Sequence, residues 1–491
     1  MRHFETLIRR ATVIDGSGNA RFIGDLGIAG GRIALLGDAA HATATEVVDA
    51  DGLVLAPGFI DVHTHDDTVV IRQPQMLPKL SQGVTTVIVG NCGISAAPVS
   101  LAGEPPDPMN LLGPASAFVY PTFADYCAAV DTAVPAVNVA ALVGHTALRS
   151  NHMDRLDRSA HPNEIAAMRS QLADALAHGA LGLSSGLAYA SARSASTAEV
   201  MQLAEVLGDY GGLYTTHLRD EFDYILGALD EAFATARHAR CALVVSHVKC
   251  AGAGNWGRSQ EVLTSLETAH QHQEVGCDCY PYSASSSTLD LKQVTGDFDI
   301  LITWSQPHPD MAGRTLVVIA ERWGVPLLDA ARRLQPAGAV YHCMSEADVQ
   351  RILAHPLSMV GSDGLPEDPR PHPRLWGAFP RVLGHYSRDL GLLPLETAVH
   401  KMTGLSAARF GLAQRGLLAP GYWADLVLFD PQRIEDTARF DDPEQPAAGI
   451  RAVWVNGVQS YRDGLALPRR AGRFLPRNTS IPATTLKENT R

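Results

Sequence analysis

The chain reads as an α/β protein built on a (β/α)8 TIM barrel, and three features of the sequence point there. Eight apolar runs recur along it, each ending in polar residues. Helical patterns with apolar positions three and four apart lie between several of these runs, and both ends of the chain carry a different, β-like texture. The runs are VLAPGFIDVHTH, VTTVIVGNCG, AVNVAALVGH, ALGLSSGLAY, GGLYTTHLRD, ALVVSHVKC, EVGCDCYPY and LSMVGSDG. The intervening helices include HPNEIAAMRSQLADALAHG, TAEVMQLAEVLGDYG, DYILGALDEAFATARHA and SQEVLTSLETAHQHQ. Strand and helix alternating in this way describe parallel strands joined by crossover helices.

Taken in chain order, residues 1–56 are short β-like runs with turn signals, among them IAGGRIALLG and VVDADGLVL, and they lack helical periodicity. The same texture returns over 410–468, in GYWADLVLFD and IRAVWVNGVQSYRDG. Neither piece alone supplies enough strands for a stable sheet. The two termini are therefore expected to pair into one small β-sandwich domain beside a barrel spanning 57–409. Residues 284–355 separate the seventh and eighth strand runs and exceed an ordinary strand-to-helix connection. They are expected to form an inserted subdomain or lid over the barrel mouth. Residues 469–491, polar and punctuated by proline, read as a loosely held tail.

Composition narrows the function. The 491 residues are 46% hydrophobic and 19% charged, enough to bury a large core. A net charge of −12 lacks the basic surplus a phosphate-backbone binder needs, so no nucleic-acid partner is expected. There is no uninterrupted apolar window of about 18 residues, and the polar N-terminus carries no targeting pattern; a cytoplasmic protein without a membrane partner is expected. The seven cysteines are odd in number and scattered, which favours reduced thiols, and Cys277-x-Cys279 lacks the second half of a structural zinc site.

In a barrel of this kind the C-terminal strand ends converge on one cavity. His63 and His65 in GFIDVHTHD alternate onto one face of the first strand end. The second run ends in Cys92, the fifth in His217, the sixth in His247 and the eighth in Asp363. Any one of these is commonly a packed or solvated residue, and Asp363 in SDG could be a turn residue. Six metal-ligand side chains at matching places in distant strands point instead to a metal centre. His145, in VGHT after the third strand, is expected in a structural role near the cavity.

The HxH strand end, the single histidines of TTHLRD and VVSHVK and the aspartate of GSDG resemble the amidohydrolase superfamily. More narrowly, NCG at 91–93, SHVK at 246–249, ITWSQPHPD at 302–310 and VGSDG at 360–364 are similar to the N-acyl-D-amino-acid deacylases, the D-aminoacylase family, over nearly the whole chain. Many two-metal amidohydrolases bridge their ions with a carboxylated lysine from the fourth strand. Here no lysine occurs between Lys79 and Lys249, which leaves the Cys92 thiolate as the substitute and favours zinc.

The resemblance implies one tightly held zinc on Cys92, His217 and His247, with a second, weaker site outlined by His63, His65, Cys92 and Asp363. It implies hydrolysis of the amide of an N-acyl-D-amino acid by activated water, with Asp363 as general base and then acid. It also assigns Lys249, Tyr280, Ser286 and Arg374 to the substrate α-carboxylate, for which cations and hydroxyl donors are suited. The preference for the D isomer rests on the resemblance alone. Val248 stands where members of the family often carry a second histidine, a departure bearing on substrate preference. Two alternatives stay open: a cyclic amidase of the dihydroorotase or hydantoinase kind, and a catalytically silent scaffold. The absent lysine counts against the first and the intact ligand set against the second. GDFDILITWSQPHPD reads equally as lid packing or an acyl-chain pocket.

Overall fold

The computed structural model describes residues 2–101 and 103–478. All eight predicted runs form barrel strands: Phe59–Asp61, Val84–Val89, Asn138–Ala141 continued by Val143–Gly144, Gly182–Gly186, Leu213–His217, Ala242–Val245, Val275–Cys279 and Ser358–Val360. Each pairs in parallel with the next, as in Asn138 opposite Thr86, Leu183 opposite Tyr214 and Cys277 opposite Ser358. A bridge between Thr64 and Gly364 joins the first strand end to the eighth and closes the ring. The second strand, VTTVIV, is buried at every position, which is why it reads as a continuous β-branched run without alternation.

The helices follow from their caps and apolar stripes. Thr197–Tyr210 starts where the Ser196 hydroxyl accepts the Glu199 amide and ends at Gly211, whose φ of +64° an L side chain would resist. Ile225–Ala239 turns Ile225, Leu229, Ala232 and Ala236 inward, at the spacing that lays one face on the barrel.

The first predicted run is two strands. Val54–Pro57 pairs antiparallel with Leu426–Phe429, and only Phe59–Asp61 enters the barrel. A continuous apolar pattern cannot show that the chain changes sheets at Gly58, whose amide still donates to the Asp425 carbonyl while the next amide, that of Phe59, donates to Gly83 in the barrel. Val54–Pro57 and Leu426–Phe429 belong to a nine-stranded sheet drawn from both termini. Ile33 donates its amide to Tyr422, so this sheet folds back on itself around Ile8, Leu26, Ile28, Leu55, Leu426 and Trp454.

The insertion builds an antiparallel sheet from Ser285–Thr288, Ile300–Ser305 and Ala337–Tyr341, flanked by Leu316–Trp323 and Leu327–Leu334. It is shorter than expected at its C-terminal end. Glu346–Ala354 packs on the seventh and eighth barrel strands and on Ser259–His270, the place of an ordinary barrel helix.

The tail is also a correction over residues 469–478; residues 479–491 lie outside the described residues. Phe474 is buried edge-on to Phe123 at 5.7 Å, and the amides of Leu475 and Arg477 donate to Val139 and Gly179. The segment closes the N-terminal end of the barrel. Phe474→Ala is expected to destabilise the fold by about 3 kcal/mol through lost burial and a residual cavity. Urea unfolding measures this; an unchanged midpoint would mean the tail contributes nothing to the core. Among the described residues, no helix is long and apolar enough to cross a membrane.

Candidate metal centre

The six expected ligands meet at the C-terminal mouth of the barrel, and backbone conformation helps to bring them there. Cys92, His247 and Asp363 all take left-handed φ angles, +53°, +35° and +49°. Such conformations cost a non-glycine residue roughly 1–2 kcal/mol each and persist where the surroundings over-determine them. Beside Cys92, Gly93 has φ +76°, and a Cβ there would sit 2.6 Å from the Gly186 amide nitrogen, so only glycine lets the NCG turn approach the fourth strand.

His63 and His65 stand beyond the last residue of their strand. Cys92 Sγ lies 3.2 Å from Nε2 of His63 and 3.2 Å from Nε2 of His247. Asp363 Oδ1 is 3.2 Å from His65 Nε2 and 3.5 Å from His63 Nε2. His63, Cys92, His247 and Asp363 thus form one buried cluster. His217 joins from the other side, its ring edge-on to His247 at 4.5 Å and within hydrogen-bonding reach of the Cys92 sulfur. His217 and His247 also cluster with Glu221. His247 therefore belongs to both groups.

The charges are strongly coupled. Burial alone would push the Cys92 thiol up, but the imidazoles of His63 and His247 hold it well below its ordinary value. Burial likewise opposes ionisation of Asp363, and the Arg374 guanidinium with His65 overrides it, keeping the carboxyl well below the usual range. Burial should lower His65, yet its hydrogen bonds with Asp363 and Cys92 lift it to about 9. A thiolate and a carboxylate thus draw protons onto neighbouring imidazoles, and a divalent cation satisfies the same negative charge by displacing those protons. One ring nitrogen each of His65 and His217 is buried with no hydrogen-bond partner among the described residues. Thiolate with imidazoles is the donor set of zinc, so the residues fit that ion.

Behind these side chains stand two carboxylates that the sequence reading missed. Asp278 lies 3.3 Å from His63 Nδ1 and accepts the His247 amide at 2.9 Å. Glu221 lies 3.1 Å from His247 Nδ1 and accepts from Lys249 Nζ at 2.6 Å. Each holds the outer nitrogen of an imidazole whose inner nitrogen faces the sulfur, an arrangement that fixes tautomer and ring orientation. Glu221 could have been found from its position four residues after His217 in HLRDE; Asp278, inside GCDC, carries no comparable signal. Tyr189 was missed as well: its ring tilts over His217 at 4.8 Å.

The four expected carboxylate-binding residues form one buried wall. The Arg374 guanidinium lies 2.8 Å from Asp363 Oδ2, sits 4.5 Å over the Tyr280 ring and donates to the Ser286 carbonyl at 3.1 Å. Lys249 Nζ approaches the other side of that wall, 5.8 Å from the Tyr280 ring centre. The Tyr280 hydroxyl, the Ser286 hydroxyl and Arg374 Nε are all buried without a hydrogen-bond partner among the described residues. Buried donors of this kind normally find an acceptor, so these three are left available to a group that the described residues do not supply. His145 stays outside: its ring pairs with Glu199 at 3.1 Å beside Arg149, a buried structural network.

Residues 46–461 match the model of the amidohydrolase family. The chain is 50% identical over 477 residues to a D-aminoacylase of Alcaligenes xylosoxydans xylosoxydans, covering 97% of this chain and 98% of the relative. It is equally 50% identical to an N-acyl-D-aspartate deacylase of the same organism, with 97% and 96% covered. Among solved structures it is similar to an N-acyl-D-glutamate deacylase from Bordetella bronchiseptica complexed with zinc and a phosphonate mimic of the tetrahedral intermediate. That likeness has a TM-score of 0.93 at 45% identity, over 97% of this chain and 100% of the other. Since these matches run nearly end to end through both the barrel and the terminal sheet, the chain belongs to the amidohydrolase family.

Proposed function

We propose that this protein is a zinc-dependent hydrolase that cleaves the amide bond of N-acyl-D-amino acids to a carboxylate and a free D-amino acid. One observation carries the reading: a buried thiolate–imidazole cluster shares Asp363 with a wall of unpaired carboxylate-binding donors. The D configuration is taken from three relatives matched over 97% of this chain, which are named a D-aminoacylase, an N-acyl-D-aspartate deacylase and an N-acyl-D-glutamate deacylase.

Cys92, His217 and His247 would hold the zinc tightly, with His63, His65, Cys92 and Asp363 as a second and weaker set. When bound, zinc supplies Lewis acidity, making water a stronger acid and a carbonyl a stronger electrophile near neutral pH. Asp363, ionised through its contact with Arg374, takes the proton of the attacking water and returns it to the leaving nitrogen, because an amide anion leaves poorly. Arg374, Tyr280, Ser286 and Lys249 grip the α-carboxylate and so fix which bond faces Asp363. The insertion contributes Ser286 from its first strand, which makes that subdomain part of the substrate wall and supports its reading as a lid.

The test is a panel of N-acetyl amino acids of both hands, assayed with zinc and after chelation. Release of amine from the D isomers only, lost on chelation and restored by zinc, is expected. Turnover confined to a hydantoin or cyclic imide would transfer the protein to the cyclic amidases. Absence of both turnover and zinc binding would favour the scaffold reading.

A further inference from the structure

Glu221 sits where the fifth and sixth barrel loops meet, 8% exposed, and its carbonyl oxygen also receives the Ala251 amide. Its carboxylate faces three groups: Oε2 lies 3.5 Å from His217 Nε2, and Oε1 meets two groups with different tasks. Oε1 is 3.1 Å from His247 Nδ1 and 2.6 Å from Lys249 Nζ, while Lys249 Nζ is itself 2.8 Å from His247 Nδ1. Three polar atoms thus crowd together, and proton counting decides how they share.

His247 turns Nε2 toward the Cys92 sulfur, the side on which it would hold a metal. Its proton must then reside on Nδ1, which becomes a donor. An ammonium has donors and no acceptor, so Lys249 and His247 Nδ1 cannot bond to each other in that state; both need the same acceptor. Glu221 is that acceptor. With one donor of Lys249 spent on Glu221, two remain for an incoming carboxylate, on a side chain whose place is fixed from behind.

We propose that Glu221 is a positioning residue that couples metal binding to substrate recognition, locking His247 in the Nδ1–H tautomer while anchoring Lys249 for the substrate α-carboxylate. The inference deepens the deacylase reading above and rests on it for the role of Lys249. Its His247 half stands on geometry alone.

The experiment compares holoenzyme with Glu221→Gln, an isosteric change that keeps one acceptor and removes the charge. Zinc affinity is measured by competition with a chelating dye, without reference to turnover. A loss of about 10-fold or more is expected, the range for the outer partner of a ligating histidine. In parallel, kcat/KM is measured for N-acetyl-D-methionine and for the corresponding N-acetyl amine, which lacks the α-carboxylate. The preference for the carboxylated substrate is expected to fall at least 10-fold, chiefly through KM. Glu221→Asp, which retains the charge, is expected to recover part of both effects. A variant that weakens turnover of both substrates equally, with zinc affinity intact, would overturn the proposal in favour of a merely structural role. Loss of a whole equivalent of zinc would overturn it in favour of direct ligation. If the wild-type protein hydrolyses neither compound, the deacylase reading fails, while the dye measurement still tests the His247 half.

Discussion

Replacing Asp363 by asparagine is expected to lower kcat by about 1,000-fold, within the span a positioned general acid–base supplies, while KM for an N-acetyl-D-amino acid changes only a few-fold. Asparagine preserves the size of the side chain and one acceptor oxygen, so the Arg374 wall keeps its shape. What disappears is the capacity to take a proton from water and hand it to the departing nitrogen. The carboxylate is suited to that task because Arg374 at 2.8 Å, with His65 at 3.2 Å, keeps it ionised despite its burial. Steady-state kinetics together with the zinc content of the variant check the assignment. A kcat within tenfold of wild type would remove Asp363 from the chemistry. Complete loss of zinc would show that its main task is to hold metal.

Much of this site is legible in the sequence because a barrel converts remote positions into neighbours. His63, Cys92, His247 and Asp363 follow strands that share no local sequence, yet strand ends were enough to predict their meeting, and their ligand atoms lie within 4.8 Å of one another. What stayed hidden are groups whose role depends on what lies behind a ligand. Asp278 alternates inward from the middle of a strand that otherwise reads as VGC-C, and nothing local distinguishes it from a buried polar exception. The tail was misread for a related reason. Arg470 and Arg477 look like solvated charge, but their guanidiniums donate to the carbonyls of Val134 and Ala180, satisfying ends of the barrel that composition cannot reveal. Gly58 is the remaining case: one apolar run served two sheets, and periodicity carries no record of the partner.

Lys79 is the residue whose loss should cost the fold most. It is fully buried, and its ammonium lies 2.7 Å from Asp61, 2.9 Å from the Thr64 hydroxyl, 2.9 Å from the Ser362 hydroxyl and 3.2 Å from Asp66. These groups belong to the end of the first strand and to the loops that carry His63, His65 and Asp363, at the seam where the first and eighth strands meet. The backbone contributes little more there than the amide of Asp363 donating to His63 and that of His65 donating to Gly364. Lys79→Met is therefore expected to destabilise the protein by about 3–5 kcal/mol, the cost of stranding a buried charge, because Asp61 and Asp66 would face each other uncompensated. Adding Asp61→Asn should return part of that loss, a non-additivity that separates charge imbalance from poor packing. The pH dependence has a definite sign. Burial pulls the Lys79 pKa down, but Asp61 and Asp66 raise it above its ordinary 10.5, so its stabilisation is fully present at neutral pH and disappears as pH rises through that elevated value. Denaturant unfolding of wild type, Lys79→Met and the double variant at pH 7 and under alkaline conditions measures all three effects. A single variant within about 1 kcal/mol of wild type would mean the seam is closed by something other than this ion pair, since surface pairs rarely exceed that figure.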